Sequence, residues 1–252
     1  MWRSVWARLA SQRITITDVL EAVDSLKTVD ALKIVPICEG FGADVQGVDL
    51  AALADDAFNA IYTAWLTYGV LRFKGQSLDK DSLQTFSQRF GPLEEMPTGR
   101  MSAAQKAKID NLYVTPISNI KVAGKPIGGL GDAEATWHSD MTYIETPPPA
   151  SVLLGVEIPQ NGGDTFFADQ RAALAWLPQA LRERITGLTI KHNAAHDSVG
   201  NLRPGFDAFD DVRDAPGAIH SMVPTTSSRP LNDLACLIVT SAVSSARCSS
   251  GT

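Results

Sequence analysis

No stretch of this sequence approaches the roughly 18 to 20 consecutive apolar residues of a membrane-spanning helix, so no helical span is expected. Basic residues are also in deficit: 22 Lys and Arg stand against 28 Asp and Glu, a formal net charge of −6. Nucleic-acid binders usually carry a basic face, which disfavours that class. Cysteine is scarce and odd in number, with Cys38, Cys236 and Cys248 widely scattered. Neither a disulfide framework nor a zinc site follows from that spacing, and a reducing, cytoplasmic setting is the default. The basic N-terminus makes a poor signal peptide, because Arg8, Arg13 and Asp18 interrupt any apolar run. What is present, 252 residues with 44% hydrophobic content, suffices for one large domain or two small ones with a packed core.

Residues 1 to about 30 show one local pattern, a short helix from Val19 to Leu26 with Asp18 as its cap. An extension or a misassigned start codon on one side, and a functional arm on the other, stay open for this segment. From Ile34 the pattern turns strand-like, with Gly40, Gly42 and Gly47 marking turns. Asp55 or Asp56 is placed to cap a helix in which Phe58, Ile61, Tyr62, Trp65 and Leu66 share one face, and Gly69 is placed to end it. That spacing describes a core-facing stripe rather than a cofactor box. A strand is expected over Val70 to Phe73, then a helix opened by Asp79 or Asp81 with Leu83, Phe86 and Phe90 inward. Residues 97 to 134 read as loop around a strand from Leu112 to Ile120, and Asn119, Lys121 and Lys125 read as solvated rather than as sites. A helix is expected from Arg171 to about Ile185, with Ala172, Trp176, Leu177 and Leu181 on its apolar side and Pro178 kinking or dividing it.

The stretch richest in chemistry runs from Trp137 to Thr165. It reads Trp137-His138-Ser139-Asp140-Met141-Thr142-Tyr143, a run of prolines, then Gly162-Gly163-Asp164-Thr165. In a β-strand, residues i and i+2 point to one face, which would set the His138 imidazole beside the Asp140 carboxylate. Such a pair is two thirds of the two-histidine, one-carboxylate set that holds non-haem Fe(II). A lone His-x-Asp also occurs by chance in solvated turns, so the surroundings have to carry the reading.

Those surroundings resemble the taurine and chlorophenoxyacetate dioxygenase family. The likeness lies in Trp137 to Tyr143, in Glu145-Thr146-Pro147-Pro148, in the apolar run Ala150 to Val156, and in Gly162-Gly163-Asp164-Thr165-Phe166-Phe167. It extends upstream to Gly40 through Leu50 and to Gly69 through Gln76, and covers roughly Ile34 to Val223. The resemblance implies a mainly β fold with flanking helices, a double-stranded β-helix or jelly roll. It implies Fe(II)- and 2-oxoglutarate-dependent hydroxylation of a small organic substrate, with O₂ consumed and succinate and CO₂ released. Carried over, His138 and Asp140 bind iron and Thr165 contacts 2-oxoglutarate. An organic anion is the expected substrate, with no nucleic-acid or membrane partner; a homo-oligomer stays open.

The resemblance also implies a second iron-binding histidine and an arginine that clamps 2-oxoglutarate, and neither can be matched here. His192 and His196 fall in a segment where the family uses no iron ligand, although on a helix they would share a face. His220 begins Ile219-His220-Ser221-Met222-Val223, similar to the start of a family segment H-P-V-V-R-T-H-P-E-T-G-R, and from Pro224 the likeness dissolves. Leu234 to Val239 could form a strand, and Arg247, the only arginine beyond it, has no family motif around it. The expected layout is an extension over 1–30, a partial jelly-roll domain over 31–223 and a non-family tail over 224–252. An interruption of the family sequence near Val223, by frameshift or truncation, is the reading; a divergent C-terminus is its alternative. In the first case the jelly roll would be incomplete at its C-terminus.

Overall fold

A computed structural model describes residues 32–96, 107, 109–126, 129–130, 137–159, 161–197, 200–203, 205–223 and 235–240. The expected helix from Val19 to Leu26, Arg247 and most of the tail lie outside the described residues. The chain divides into two compact units. The first is drawn from Met1–Ser77, Leu153–Phe167 and Cys236–Thr252, the second from Leu78–Val152 and Ala168–Ala235.

In chain order the first unit opens with β1 (Lys33–Cys38) and β2 (Phe41–Gln46), an antiparallel hairpin. Helix α1 (Asp55–Tyr68) follows, then β3 (Val70–Lys74), parallel to β2. Ala54 rather than Asp55 or Asp56 is the N-cap of α1. Both aspartates sit instead in the first turn, where the positive end of the helix dipole favours a carboxylate. Ala57, Phe58, Ala60, Ile61, Ala64 and Trp65 are buried, so of the stripe read from the sequence Phe58, Ile61 and Trp65 are fully buried with alanines between them, and Tyr62 and Leu66 only half-buried. Gly69 ends the helix at φ 71°, a left-handed conformation that glycine adopts without a Cβ clash, and its N–H bonds Trp65 O at 2.9 Å.

The β2–β3 register pairs Ala43 with Leu71, Asp44 with Arg72 and Val45 with Phe73. Alternation therefore puts the four apolar residues on one face and the ion pair on the other. All six are buried, because α1 packs on both strands and the sheet continues on either side. Arg72 grips Asp44 in a fork, Nε to Oδ1 at 2.6 Å and an Nη to Oδ2 at 3.0 Å, and Lys74 Nζ adds a contact at 3.0 Å. Burial pushes the Asp44 carboxyl upward, but these hydrogen bonds and charges outweigh it and hold the group below its ordinary value. Gln76 ties the neighbouring loop down by accepting from Leu50 N at 2.9 Å and donating to Val48 O at 3.0 Å.

In the second unit α2 (Lys80–Gln88) is opened by Asp79, whose carboxylate accepts from Ser82 N while the Ser82 hydroxyl accepts from Asp79 N, a reciprocal capping box. Leu83, Phe86 and Phe90 are buried as expected. The strand expected over Leu112 to Ile120 reduces to β4 (Ile117–Ser118), followed by β5 (Lys121–Val122), β6 (Lys125–Pro126) and β7 (Gly129–Leu130). Its first half instead forms a turn in which the Asn111 side chain accepts from Tyr113 N and Val114 N. Such side-chain bonds compete with a strand ladder for the backbone. Beyond β8 (Ala150–Gly155), the expected single helix is divided at Pro178 into α3 (Gln170–Trp176) and α4 (Gln179–Ile185). Neither buries a residue fully; of the apolar side read from the sequence, Ala172 and Leu177 are half-buried while Trp176 and Leu181 are exposed. The remaining strands are β9 (Thr189–Lys191), β10 (Ile219–Ser221) and β11 (Ala235–Thr240).

Among the described residues the strands form one five-stranded sheet, in the order β1-β2-β3-β11-β8, and three two-stranded ones. Strand β11 runs parallel to β3 and realises the strand expected at Leu234 to Val239. Sheets with flanking helices agree with the expected class; the strand pairs that would close a double-stranded β-helix are not among the described residues. Cys38, at the end of β1, is disulfide-bonded, contrary to the expectation drawn from scattered cysteines. Wide spacing along the chain does not keep cysteines apart in the fold. No helix among the described residues is long and apolar enough to cross a membrane.

Asp44→Ala leaves the buried Arg72 guanidinium, and the partly exposed Lys74 beside it, without their carboxylate and is expected to cost about 3–5 kcal/mol of unfolding free energy in urea titrations. A loss within experimental error would show that the pair does not hold the sheet. With a depressed folded pKa, the stabilisation is complete above the unfolded aspartate value of about 3.9 and is lost as pH falls through the folded value. The variant should lack that acid-side loss.

Candidate metal centre

The segment from Trp137 to Thr146 is a succession of bends and turns rather than the strand that alternation suggested. Met141 takes φ 53°, a left-handed conformation costing an L-residue roughly 1–2 kcal/mol, which no strand residue adopts. The turn closes through Ile144 N to Met141 O at 3.2 Å. His138 and Asp140 nevertheless meet, Nε2 to Oδ1 at 3.2 Å, with side chains 43% and 61% exposed. An imidazole nitrogen and a carboxylate oxygen thus lie side by side in open solvent. Ser151, near the start of β8, places its hydroxyl 3.3 Å from Asp140 Oδ2, and so orients the carboxylate with Oδ1 toward His138.

The carbonyls that follow Asp140 are held from β10 and the residue before it. His220 Nε2 lies 2.9 Å from Thr142 O and 3.1 Å from Ile144 O, and Ala218 N donates to Tyr143 O at 2.9 Å. Carbonyl oxygens only accept, so Nε2 of His220 carries the proton. The Arg203 guanidinium lies over the Tyr143 ring, 4.9 Å from its centroid. The His192 and His220 rings are 5.3 Å apart. Burial first, then the charge of His220 beside it, holds His192 below the ordinary histidine pKa.

His192 and His196 do not share a helical face: the chain leaves β9 at His192, and His196 pairs with Leu202 in an isolated bridge. His196 Nδ1 contacts the Asn193 side chain at 2.8 Å, and its ring meets Phe209 edge-on. Among the described residues no group of three or more His, Cys, Asp and Glu could hold a metal. Thr165 is an exposed residue of the first unit, after Gly162 and Gly163, whereas the His138–Asp140 pair belongs to the second. Sequence reasoning missed Ser151, Arg203 and the contacts of His220. Only the last had a signal, its place in a family-like segment.

The second unit also carries an open depression of about 340 Å³ lined by Gln84 and residues 109–113. Its polar lining is internally paired, Asp110 with Lys80 and Asn111 with Gln84, so no unsatisfied charge marks it as an anion site.

Residues 33–235 match the family model for the taurine catabolism dioxygenase TauD, TfdA family. The chain is 34% identical over 201 residues to an (S)-phenoxypropionate/alpha-ketoglutarate-dioxygenase of Sphingobium herbicidovorans, covering 80% of this chain and 66% of the relative. A protein of the same description from Delftia acidovorans is 33% identical over 182 residues, covering 71% and 61%. The chain thus spans less than two thirds of either relative. Among solved structures, a putative alpha-ketoglutarate dependent 2,4-D dioxygenase from Burkholderia xenovorans matches at a TM-score of 0.50 and 27% identity, covering 81% of this chain and 67% of the other. A match at TM-score 0.56 and 21% identity, to AAD-2 in complex with Mn(II) and N-oxalylglycine, covers 79% and 70% and supports the fold. These neighbours imply a jelly-roll fold. With a family model matched over most of its length, the chain belongs to the TauD/TfdA family of dioxygenases.

Proposed function

We propose that this protein is an Fe(II)- and 2-oxoglutarate-dependent dioxygenase that hydroxylates a small organic anion and releases succinate and CO₂. The observation that carries the reading is the exposed His138–Asp140 pair at 3.2 Å, on a turn stabilised at the carbonyls of Thr142, Tyr143 and Ile144. A borderline nitrogen and a hard oxygen donor fit Fe(II), and they fill two of the three protein positions of such a site. His138 would bind through Nε2 and Asp140 through Oδ1, while the Ser151 hydroxyl holds Oδ2 and limits rotation of the carboxylate. Thr165 would contact 2-oxoglutarate through its hydroxyl. The iron, when bound, supplies the oxidative chemistry, and the protein supplies binding and orientation. Substrates named for the relatives, phenoxypropionate and 2,4-dichlorophenoxyacetate, are aryloxy carboxylates, which supports that class here.

One observation favours a second reading, a non-catalytic jelly-roll protein: among the described residues no third ligand joins the pair. Anaerobically prepared protein given Fe(II), 2-oxoglutarate, O₂ and a panel of aryloxyalkanoates is expected to form succinate, and His138→Ala to abolish it. Succinate formation that never exceeds that of Fe(II) alone would favour the second reading.

Because both side chains are exposed, His138→Ala and Asp140→Ala are each expected to change unfolding free energy by no more than about 0.5 kcal/mol. A larger loss in urea titrations would mark the pair as structural.

A further inference from the structure

We propose that His220 is a positioning residue that sets the geometry of the metal-binding turn, and that this chain's metal affinity depends on its Nε2–H donating to Thr142 O and Ile144 O. The inference rests on the reading of His138 and Asp140 as metal ligands and goes beyond it by naming what holds them in place.

Met141 sits directly after Asp140 in a conformation that an L-residue leaves when nothing opposes it. Such strain persists only where the surroundings over-determine the backbone. Here they do so at three successive residues: His220 takes the carbonyls of Thr142 and Ile144, Ala218 takes that of Tyr143, and Arg203 covers the Tyr143 ring. The first of those carbonyls is two residues from the Asp140 carboxylate. A shift of the turn would therefore move Oδ1 away from the His138 nitrogen.

The latch itself is braced. β10 pairs with β9, His192 N donates to Ala218 O at 2.8 Å, and the half-buried His220 ring lies against that of His192. Gly217, just before Ala218, runs so close to the neighbouring segment that a Cβ there would lie 1.8 Å from His192 O. With its support this tight, His220 reaches both carbonyls from a fixed direction. Groups that orient metal ligands without touching the metal commonly change affinity by 10–100-fold when lost.

The test is a Mn(II) titration of the full chain, following free Mn(II) by electron paramagnetic resonance, with urea unfolding of each metal-free variant alongside. His220→Ala removes the donor; His220→Gln keeps an N–H of similar reach. The expected result is one Mn(II) per chain throughout, an affinity loss of about 10–100-fold for His220→Ala, and recovery of most of it in His220→Gln. Wild-type affinity in His220→Ala would overturn the proposal. So would equal weakening in both variants in step with their loss of folded protein, since His220 would then serve the fold alone. Asp140→Ala tests the underlying reading separately: binding unchanged in that variant would remove the ligand assignment, whereas binding lost there but untouched in His220→Ala would remove only the latch.

Discussion

The first unit depends on a buried fork of hydrogen bonds between Arg72 and Asp44. Side chains alternate along a strand, so a one-residue slip of β3 against β2 would send Arg72 into the apolar face and strand Asp44 opposite a hydrophobic residue. Only the observed register lets the ion pair and the two apolar pairs form together. Burial alone would make the carboxylate costly; the guanidinium on two oxygens and Lys74 beside them reverse that cost. The result is a pair of interior strands against which α1 can pack its alanine-rich, aromatic stripe.

The second unit is organised differently. Among its described residues the buried apolar side chains are few, chiefly Leu83, Phe86 and Phe90 with small alanines near β9 and β10, and helices α3 and α4 bury no residue fully. The turn bearing His138 and Asp140 is therefore shaped less by packing than by hydrogen bonds to its carbonyls. Exposure of the pair follows from the same arrangement. A metal site has to leave positions open for its other ligands, and a pair sealed in a core could not.

Much of this was legible in the sequence. The stripe from Phe58 to Trp65, the Gly69 stop, the strands around it and the division at Pro178 each follow from local rules of spacing and backbone preference, and the structure contains them. His138 and Asp140 were picked out correctly as neighbours, but for a reason the structure does not support: a positive φ at Met141 and a turn, not strand alternation, bring them together. The contacts that hold this turn come from residues more than 70 positions away in the chain, and spacing rules carry no information at that range. Nor do spacing rules show which side chain a turn will bring to a carboxylate, so the Ser151 contact, only 11 positions from Asp140, was missed as well. The strand expected from Leu112 failed because Asn111 offers the backbone a local alternative.

The central claim is that His138 and Asp140 bind one divalent metal. The chain has four histidines, so their ring resonances can be followed individually by nuclear magnetic resonance. Substoichiometric Mn(II) should broaden the His138 ring signal first, ahead of His192, His196 and His220, and Asp140→Ala should remove that selectivity. Broadening that begins at His192 or His196, or that touches all four rings equally, would contradict the account.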